Sequence, residues 1–374
     1  MKKLIAIFAV LFLVVPAFAA DWSFYGSMRM ATWHNYHDWG NVKFAGQQDD
    51  AETQWFFQSN SRLEAKVRAD KVRGHIELGL GSSDSGGDGN VTTRLAYGVW
   101  QFSENAWLKV GKDHSPVTVF ISNQFWGEDQ NLYGIGNFYG MRPSGITLGI
   151  GAFELAFLTP SYGSDVGTTA TGINGATGGD PDAYIPRVEA TYTLTFGAGY
   201  IRPFGGFQWY KVDSTGLGNV TGDLDVYSWV LGLASAWNIG AFSLGGQVSY
   251  GMNEGNVRGW YPGFNPRGAS AAYLKGGDNL ANVYTLQADI VPAVAVTDYL
   301  RLEAGFGYRM DNADDAPGLS HKDGFWALYL QALFTMAPGV YICPEVGYFD
   351  SMDDRAGNST GYTWYCGAKW QVDF

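Results

Sequence analysis

The chain has 374 residues and a formal charge of −12, with 36 acidic against 24 basic side chains. Charged residues make up 16%, against roughly 25% in soluble domains, while aromatics also reach 16% and glycine numbers 51, where average usage is roughly 7%. That balance excludes a disordered chain and a coiled coil, and a mean hydropathy of −0.11 excludes a bundle of many membrane-spanning helices.

The amino terminus reads as a targeting segment. Lys2 and Lys3 precede a continuous apolar run, Leu4 to Val15, which Pro16 breaks before the small residues Ala17 and Ala19. This predicts a secretory signal peptide over residues 1–20, cleaved after Ala19 or Ala20, with one domain over residues 21–374. The run is short for a spanning helix, which needs about 20 apolar residues. Cleavage removes two lysines and no acid, so the mature balance becomes more acidic, which argues against a nucleic-acid partner. The acids concentrate in Gly/Asn/Ser-rich segments such as Asp49–Glu52 and Asp311–Asp315, which read as solvated loops.

From Trp22 onward the hydrophobic period is two. In Gln54–Ala69, Trp55, Phe57, Leu63, Ala65 and Val67 share one face, and Gln58, Asn60, Arg62, Glu64, Lys66 and Arg68 the other. A strand with one apolar and one polar side fits this pattern, whereas a helix would mix the two sets. In chain order the predicted strands are Trp22–Thr32, Gln54–Ala69, Gly74–Gly81, Val91–Phe102, Ala106–Lys112, Met141–Ile150, Phe153–Thr159 and Ile185–Leu194. They continue as Gly199–Val212, Leu224–Trp237, Phe242–Gly251, Val283–Ile290, Tyr299–Met310, Gly324–Thr335, Val340–Phe349 and Thr360–Phe374. Pro143 strains the sixth, and Gly205-Gly206 predicts a bulge in the ninth. Sixteen is even, and long connections alternate with short ones such as Asp70–Arg73 and Met336–Gly339. Strict alternation suits an all-β antiparallel barrel crossing a membrane, in which every backbone donor must pair and no edge is left open.

The last strand sharpens this. Tyr362, Trp364, Cys366, Ala368, Trp370, Val372 and Phe374 alternate with polar or small residues, and the chain stops on Phe374. An aromatic-rich strand ending in phenylalanine resembles the terminal signature of Gram-negative outer-membrane barrels. The third long connection, Asp113 to Gly140, holds Val117, Val119, Phe120, Ile121, Phe125, Trp126, Leu132 and Tyr133, too apolar for a freely exposed loop. With it the chain resembles the general diffusion porin family over its whole mature length, by layout and without a long shared motif.

That resemblance implies a transmembrane barrel of about 16 strands whose third external loop folds into the pore. It implies location in the outer membrane of a Gram-negative bacterium and passive diffusion of small hydrophilic solutes and ions. The implied partners are outer-membrane lipid and lipopolysaccharide, and two further copies of the chain in a homotrimer. No cofactor, metal or nucleic acid is expected. The family sets loop acids against wall bases, and the matching candidates for the pore constriction are Arg29, Arg62, Arg94 and Arg142 opposite Glu128, Asp129 and Asp113. Opposed charges across a narrow aqueous gap create a transverse field that selects polar solutes.

Two alternatives stay open. A substrate-specific channel for sugars or anions would line its lumen with aromatics such as Tyr25, Trp100, Trp107, Tyr329 and Tyr365. A barrel enzyme would need a histidine with a Ser or Asp partner. The candidates are His34, His37, His75, His114 and His321, with His34 and His37 suited to metal only if helical, and no Gly-x-Ser-x-Gly or His-Glu-x-x-His accompanies them. Cys343 and Cys366 flank one predicted hairpin symmetrically, but parity puts Cys366 on the lipid face and Cys343 on the lumenal face, which opposes a disulfide.

Overall fold

The computed structural model describes residues 20–40, 49–81, 90–162, 173, 180–213, 220, 222–261, 270–276, 279–314, 322–354 and 357–374. Residues 1–19, which hold nearly all of the expected signal peptide, and His321 lie outside the described residues. The wall strands are β1 (Asp21–Asp38), β2 (Asp50–Phe57 and Arg62–Ala69), β3 (Val72–Leu80), β4 (Val91–Ser103), β5 (Ala106–Lys112), β6 (Ser144–Ile150) and β7 (Phe153–Leu158). They go on as β8 (Asp180–Asp182, Arg187–Tyr192 and Leu194–Phe196), β9 (Gly199–Asp213), β10 (Leu224–Ile239), β11 (Phe242–Met252) and β12 (Val283–Thr297). The last are β13 (Leu300–Ala313), β14 (Lys322–Ala337), β15 (Val340–Asp350) and β16 (Tyr362–Asp373).

Each strand pairs antiparallel with its neighbours, and β16 returns to β1 from Ser27↔Asp373 to Asp38↔Tyr362, so the sheet closes. Closure removes every edge, which is the condition for a sheet to sit in hydrocarbon. The seam is finished by Phe374, whose N–H donates to the Gly26 carbonyl (3.0 Å) while Gly26 N–H donates to the Phe374 carbonyl (2.7 Å).

Period-two patterning becomes an outside and an inside. Leu231, Leu244, Ile290, Phe306, Leu328 and Leu330 are exposed on the outer surface. An apolar belt of this extent is what a lipid-facing wall requires. Rings bound it: Tyr36, Trp364, Tyr362, Tyr348 and Trp326 lie against their neighbours toward the long-loop end, and Phe196 stacks on Trp237 toward the short-turn end. Facing inward are buried polar groups, among them Arg187, Glu189, Gln287, Glu303, Arg309, Gln331, Glu345 and Lys369.

Four expectations need correction. The segment Gln54–Ala69 is not continuous, because a turn at Gln58–Ser61 interrupts it, with Ser61 N–H donating to the Gln58 carbonyl (2.9 Å). The sixth strand begins at Ser144, just after Pro143, which has no N–H to give a ladder. The Gly205-Gly206 pair marks no bulge. Register against β10 runs unbroken from Gly199↔Trp237 to Val212↔Leu224, and the glycines instead make room for Leu231 and Trp260. Finally, Trp100 pairs with Val72 and Leu108 and is exposed on the outer wall, so it is not a lumenal ring.

Parity decided the cysteines as expected. Cys343 is buried, Cys366 is exposed, and both are free. Cys343 sits opposite Lys369 and Cys366 opposite Val346, so no register brings them together.

Candidate functional site

The third long connection, residues 113–143, runs inside the barrel. Val117, Val119, Ile121, Leu132, Ile135 and Phe138 are buried in one cluster with Trp33, Phe204, Tyr329, Phe349 and Tyr365 of the wall and Trp260 of the connection after β11. Of the apolar residues that predicted an inward fold, Phe120 alone among this group's neighbours stays well exposed. Hydrophobic burial therefore draws the loop against the half of the wall built by β9–β16 and β1.

Polar contacts fix its height. Glu303 on β13, Gln331 on β14 and Glu345 on β15 stand in register across three strands. Glu303 accepts from Asn123 N–H (3.0 Å), Asn123 Nδ2 (2.8 Å), Tyr329 Oη (2.7 Å) and Gln331 Nε2 (3.1 Å). Glu345 accepts from the N–H groups of Phe125 (2.7 Å) and Trp126 (3.0 Å) and from Tyr365 Oη (2.8 Å). Both tyrosines lie over cross-strand glycines, Tyr329 over Gly305 and Tyr365 over Gly347, where any side chain would collide with the rings. The glycines of the polar faces thus create the space into which these rings fold.

The loop tip bends sharply. Gly127, Asp129, Asn131 and Leu132 all have φ between 54° and 62°, and left-handed backbone costs a non-glycine residue about 1–2 kcal/mol. The wall holds this shape. Arg29 Nη1 donates to Asp129 Oδ2 (2.6 Å), Lys369 Nζ lies 3.6 Å from Asp129 Oδ1, and Gln58 Nε2 donates to the Gly127 carbonyl (2.7 Å). Glu128 Oε2 accepts from Ser59 N–H (2.7 Å) and Ser59 Oγ (2.9 Å). The turn that interrupts β2 is the seat for this tip.

The seven candidate residues fall into separate groups. Arg29 and Asp129 meet each other, both largely buried, along the loop's attachment to β1. Arg62 and Arg94 meet on one carboxylate, Glu77: Arg62 Nη1 lies 3.4 Å from it, and Arg94 Nε donates to its other oxygen. Arg94 also donates to Asn60 Oδ1 (2.8 Å), and Asn60 donates to the Glu128 carbonyl, so wall and loop tip join through one amide. Arg142 stands at the other end of the loop beside Arg94. Asp113 is taken by Lys109, 2.5 Å away at the loop base.

Sequence reasoning missed Glu77, Lys109, Lys369, Glu303 and Glu345. A signal existed for Glu77, an acid on the polar face of a short strand between two arginine-bearing strands. None of the others differs in sequence from an ordinary lumenal polar residue. His34 and His37 sit on a strand, not a helix, three residues apart and so on opposite faces. Glu64, His75 and Glu77 bring possible ligand atoms within 4.8 Å of one another, yet the two guanidinium groups on Glu77 repel a cation from that spot.

Open space remains on the side away from the loop's anchors. An outer cavity of about 800 Å³ is lined by Ser59, Thr93, Arg94, Lys112, Arg142 and Arg258 among others. An inner cavity of about 490 Å³ is lined by Lys66, Arg73, His75, Tyr97, Lys109 and Asp113 among others. Along β3 and β4 the Arg62–Glu77–Arg94 row lies between them.

No family model matches the chain, and no curated protein matches it. Solved structures do. The outer membrane channel DcaP of Acinetobacter baumannii superposes with a TM-score of 0.67 at 16% identity, covering 95% of this chain and 97% of that one. The anion-selective porin from Comamonas acidovorans gives 0.57 at 13% identity over 95% of this chain and 100% of that one. OmpF of Salmonella typhi gives 0.56 at 10% identity over 94% and 97%. The chain has the closed, sixteen-stranded antiparallel barrel fold of the outer-membrane porins.

Proposed function

We propose that the protein is a passive diffusion channel of the Gram-negative outer membrane, admitting small hydrophilic solutes and ions through a gap between the inward loop and β2–β6. The observation that carries this reading is the pair of cavities above and below the Arg62–Glu77–Arg94 row. In this reading Arg62, Arg94 and Arg142 supply the wall charge and Glu128 the loop charge. Arg29, Asp129 and Asp113 hold the loop in place. An exported chain and a trimeric assembly belong to the same proposal. The trimer agrees with a solved trimer form of the Vibrio cholerae outer membrane protein OmpT, which this barrel resembles at a TM-score of 0.58 and 15% identity.

Planar-bilayer recording tests it. Wild-type protein should insert as discrete open channels, and Arg62→Ala with Arg94→Ala should shift the reversal potential in a salt gradient toward cations, by at least a few millivolts. Unchanged selectivity would remove these arginines from the constriction.

Acidity gives a second test. Burial at the loop tip pushes the Glu128 carboxyl above the ordinary glutamate range, only partly offset by the hydrogen bonds from Ser59. A raised carboxylate binds its proton more tightly in the folded state, so its contribution to stability is greatest below its unfolded pKa and falls as pH rises through the raised value. For conduction, lowering the pH should neutralise the tip before ordinary glutamates titrate and move selectivity toward anions. Glu128→Gln should shift selectivity the same way at neutral pH and abolish that step.

A further inference from the structure

We propose that the outer cavity is a binding site for small anions carrying two negative charges. The inference rests on the channel reading above and names the solute class that its entrance retains.

The argument is a charge count inside a confined volume. The chain as a whole is acidic, yet none of the described residues lining this cavity is a carboxylate, while Arg94, Lys112, Arg142, Arg187 and Arg258 all line it. Of the acids around it, Glu128 is held by Ser59, which lines the cavity, and subtracts one charge from this excess, while Glu77 and Glu189 are engaged by arginine. Glu77 is shared between Arg62 and Arg94, two cations on one anion. Glu189 is set against Arg187, which is fully buried under the cavity and whose Nη1 has no hydrogen-bond partner among the described residues. Lys112 spends its ammonium on the Thr93 carbonyl (2.7 Å), which takes a hydrogen bond and leaves the charge uncompensated. Among the described residues neither Lys112 nor Arg142 makes an ion pair, and Arg142 lies near enough to Arg94 for the two to repel.

Like charges gathered on low-dielectric walls focus a positive potential and concentrate counter-ions. A monovalent ion would leave most of that excess standing, whereas a dianion balances Lys112 and Arg142 together. Guanidinium matches the planar fork of a carboxylate or the edge of a tetrahedral oxyanion, and the ammonium adds a point charge. About 800 Å³ admits such an ion with part of its hydration shell. At the opposite end the inner cavity mixes Lys66, Arg68, Arg73 and Lys109 with Asp21, Asp113 and Glu154. The anion therefore meets its strongest attraction at the outer mouth and is released toward a nearly balanced interior.

The experiment combines channel recording with calorimetry on detergent-solubilised protein. Sulfate and malonate serve as inorganic and organic dianions and perchlorate as a monovalent control. Chloride current should fall saturably with sulfate or malonate and little with perchlorate. Lys112→Gln with Arg142→Gln should raise the half-blocking concentration at least tenfold. Malonate blocking alone would point to an organic acid as the natural solute, and sulfate alone to an oxyanion. Blockade that does not saturate, or that survives both substitutions, overturns the proposal. Absence of any channel would instead overturn the diffusion reading, and calorimetry would then still decide the site, by showing dianion heat that the double variant loses or showing none.

Discussion

Replacing Glu345 by alanine should free the inward loop and destabilise the folded barrel by roughly 3 kcal/mol, since each buried donor left unsatisfied costs about 1–3 kcal/mol. Three donors would be stranded: the Phe125 and Trp126 N–H groups and Tyr365 Oη. The two N–H groups belong to the segment that carries the strained tip, so the local cost becomes mobility of Gly127–Asp129 against the wall. The expected readouts are a lower temperature for loss of folded-barrel mobility on gels and a noisier, larger open-channel current. Glu345→Gln keeps the shape but turns an amide donor toward one of the same N–H groups, so its effect should be intermediate. The parallel change Glu303→Ala strands Asn123, Tyr329 and Gln331, and the two together should exceed either alone. Quiet currents and unchanged thermal behaviour in Glu345→Ala would mean that apolar packing of Val117–Ile121 and Leu132–Phe138 holds the loop without help.

The second large effect concerns closure. Deleting Phe374 removes both hydrogen bonds that tie the last residue to Gly26, together with a ring that packs where a side chain on Gly26 would have to be. In water two such bonds are worth about 1 kcal/mol each, and unpaired backbone groups facing lipid cost several kcal/mol apiece. Refolding into vesicles should drop at least about tenfold in yield, equivalent to about 1.4 kcal/mol. Phe374→Tyr, which keeps ring and backbone, should fold nearly normally. Equal yields for wild type and deletion would show that the Ser27–Asp38 pairing with Tyr362–Asp373 closes the seam unaided.

These two cases show how far the sequence could be read. The terminal strand was legible down to single residues, because alternation with period two has only one lumenal set and the final Phe374 falls on the lipid side. The inward loop was legible as a class: a run such as Val117–Ile121 cannot remain in water, so it had to find a wall. Which wall, and by which groups, was not legible. Glu303 and Glu345 look like any two acids on alternating strands, and their partnership depends on a register across β13, β14 and β15 that local patterning does not encode. The same holds for the bulge expected at Gly205-Gly206: a glycine pair permits a bulge or a close approach, and Trp260, arriving from a distant loop, decided for the second.

The candidate charges divide along the same line. Composition and parity place Arg29, Arg62 and Arg94 inside the barrel, since a guanidinium facing lipid at the midplane costs about 2–4 kcal/mol. Tertiary structure then separates them, giving Arg29 to Asp129 and both Arg62 and Arg94 to Glu77, and leaving Arg142 beside an open cavity. What the sequence by itself determined is the barrel: strand number, alternating loop lengths, inside and outside faces, and a loop too apolar to stay out. Each follows from local periodicity and from the rule that buried backbone must pair. What only the tertiary structure decided is the charge pattern of the lumen, because electrostatic partners in a closed barrel lie as far as 240 residues apart in the chain, as Lys369 and Asp129 do, and are chosen by sheet register and loop placement rather than by neighbours in sequence.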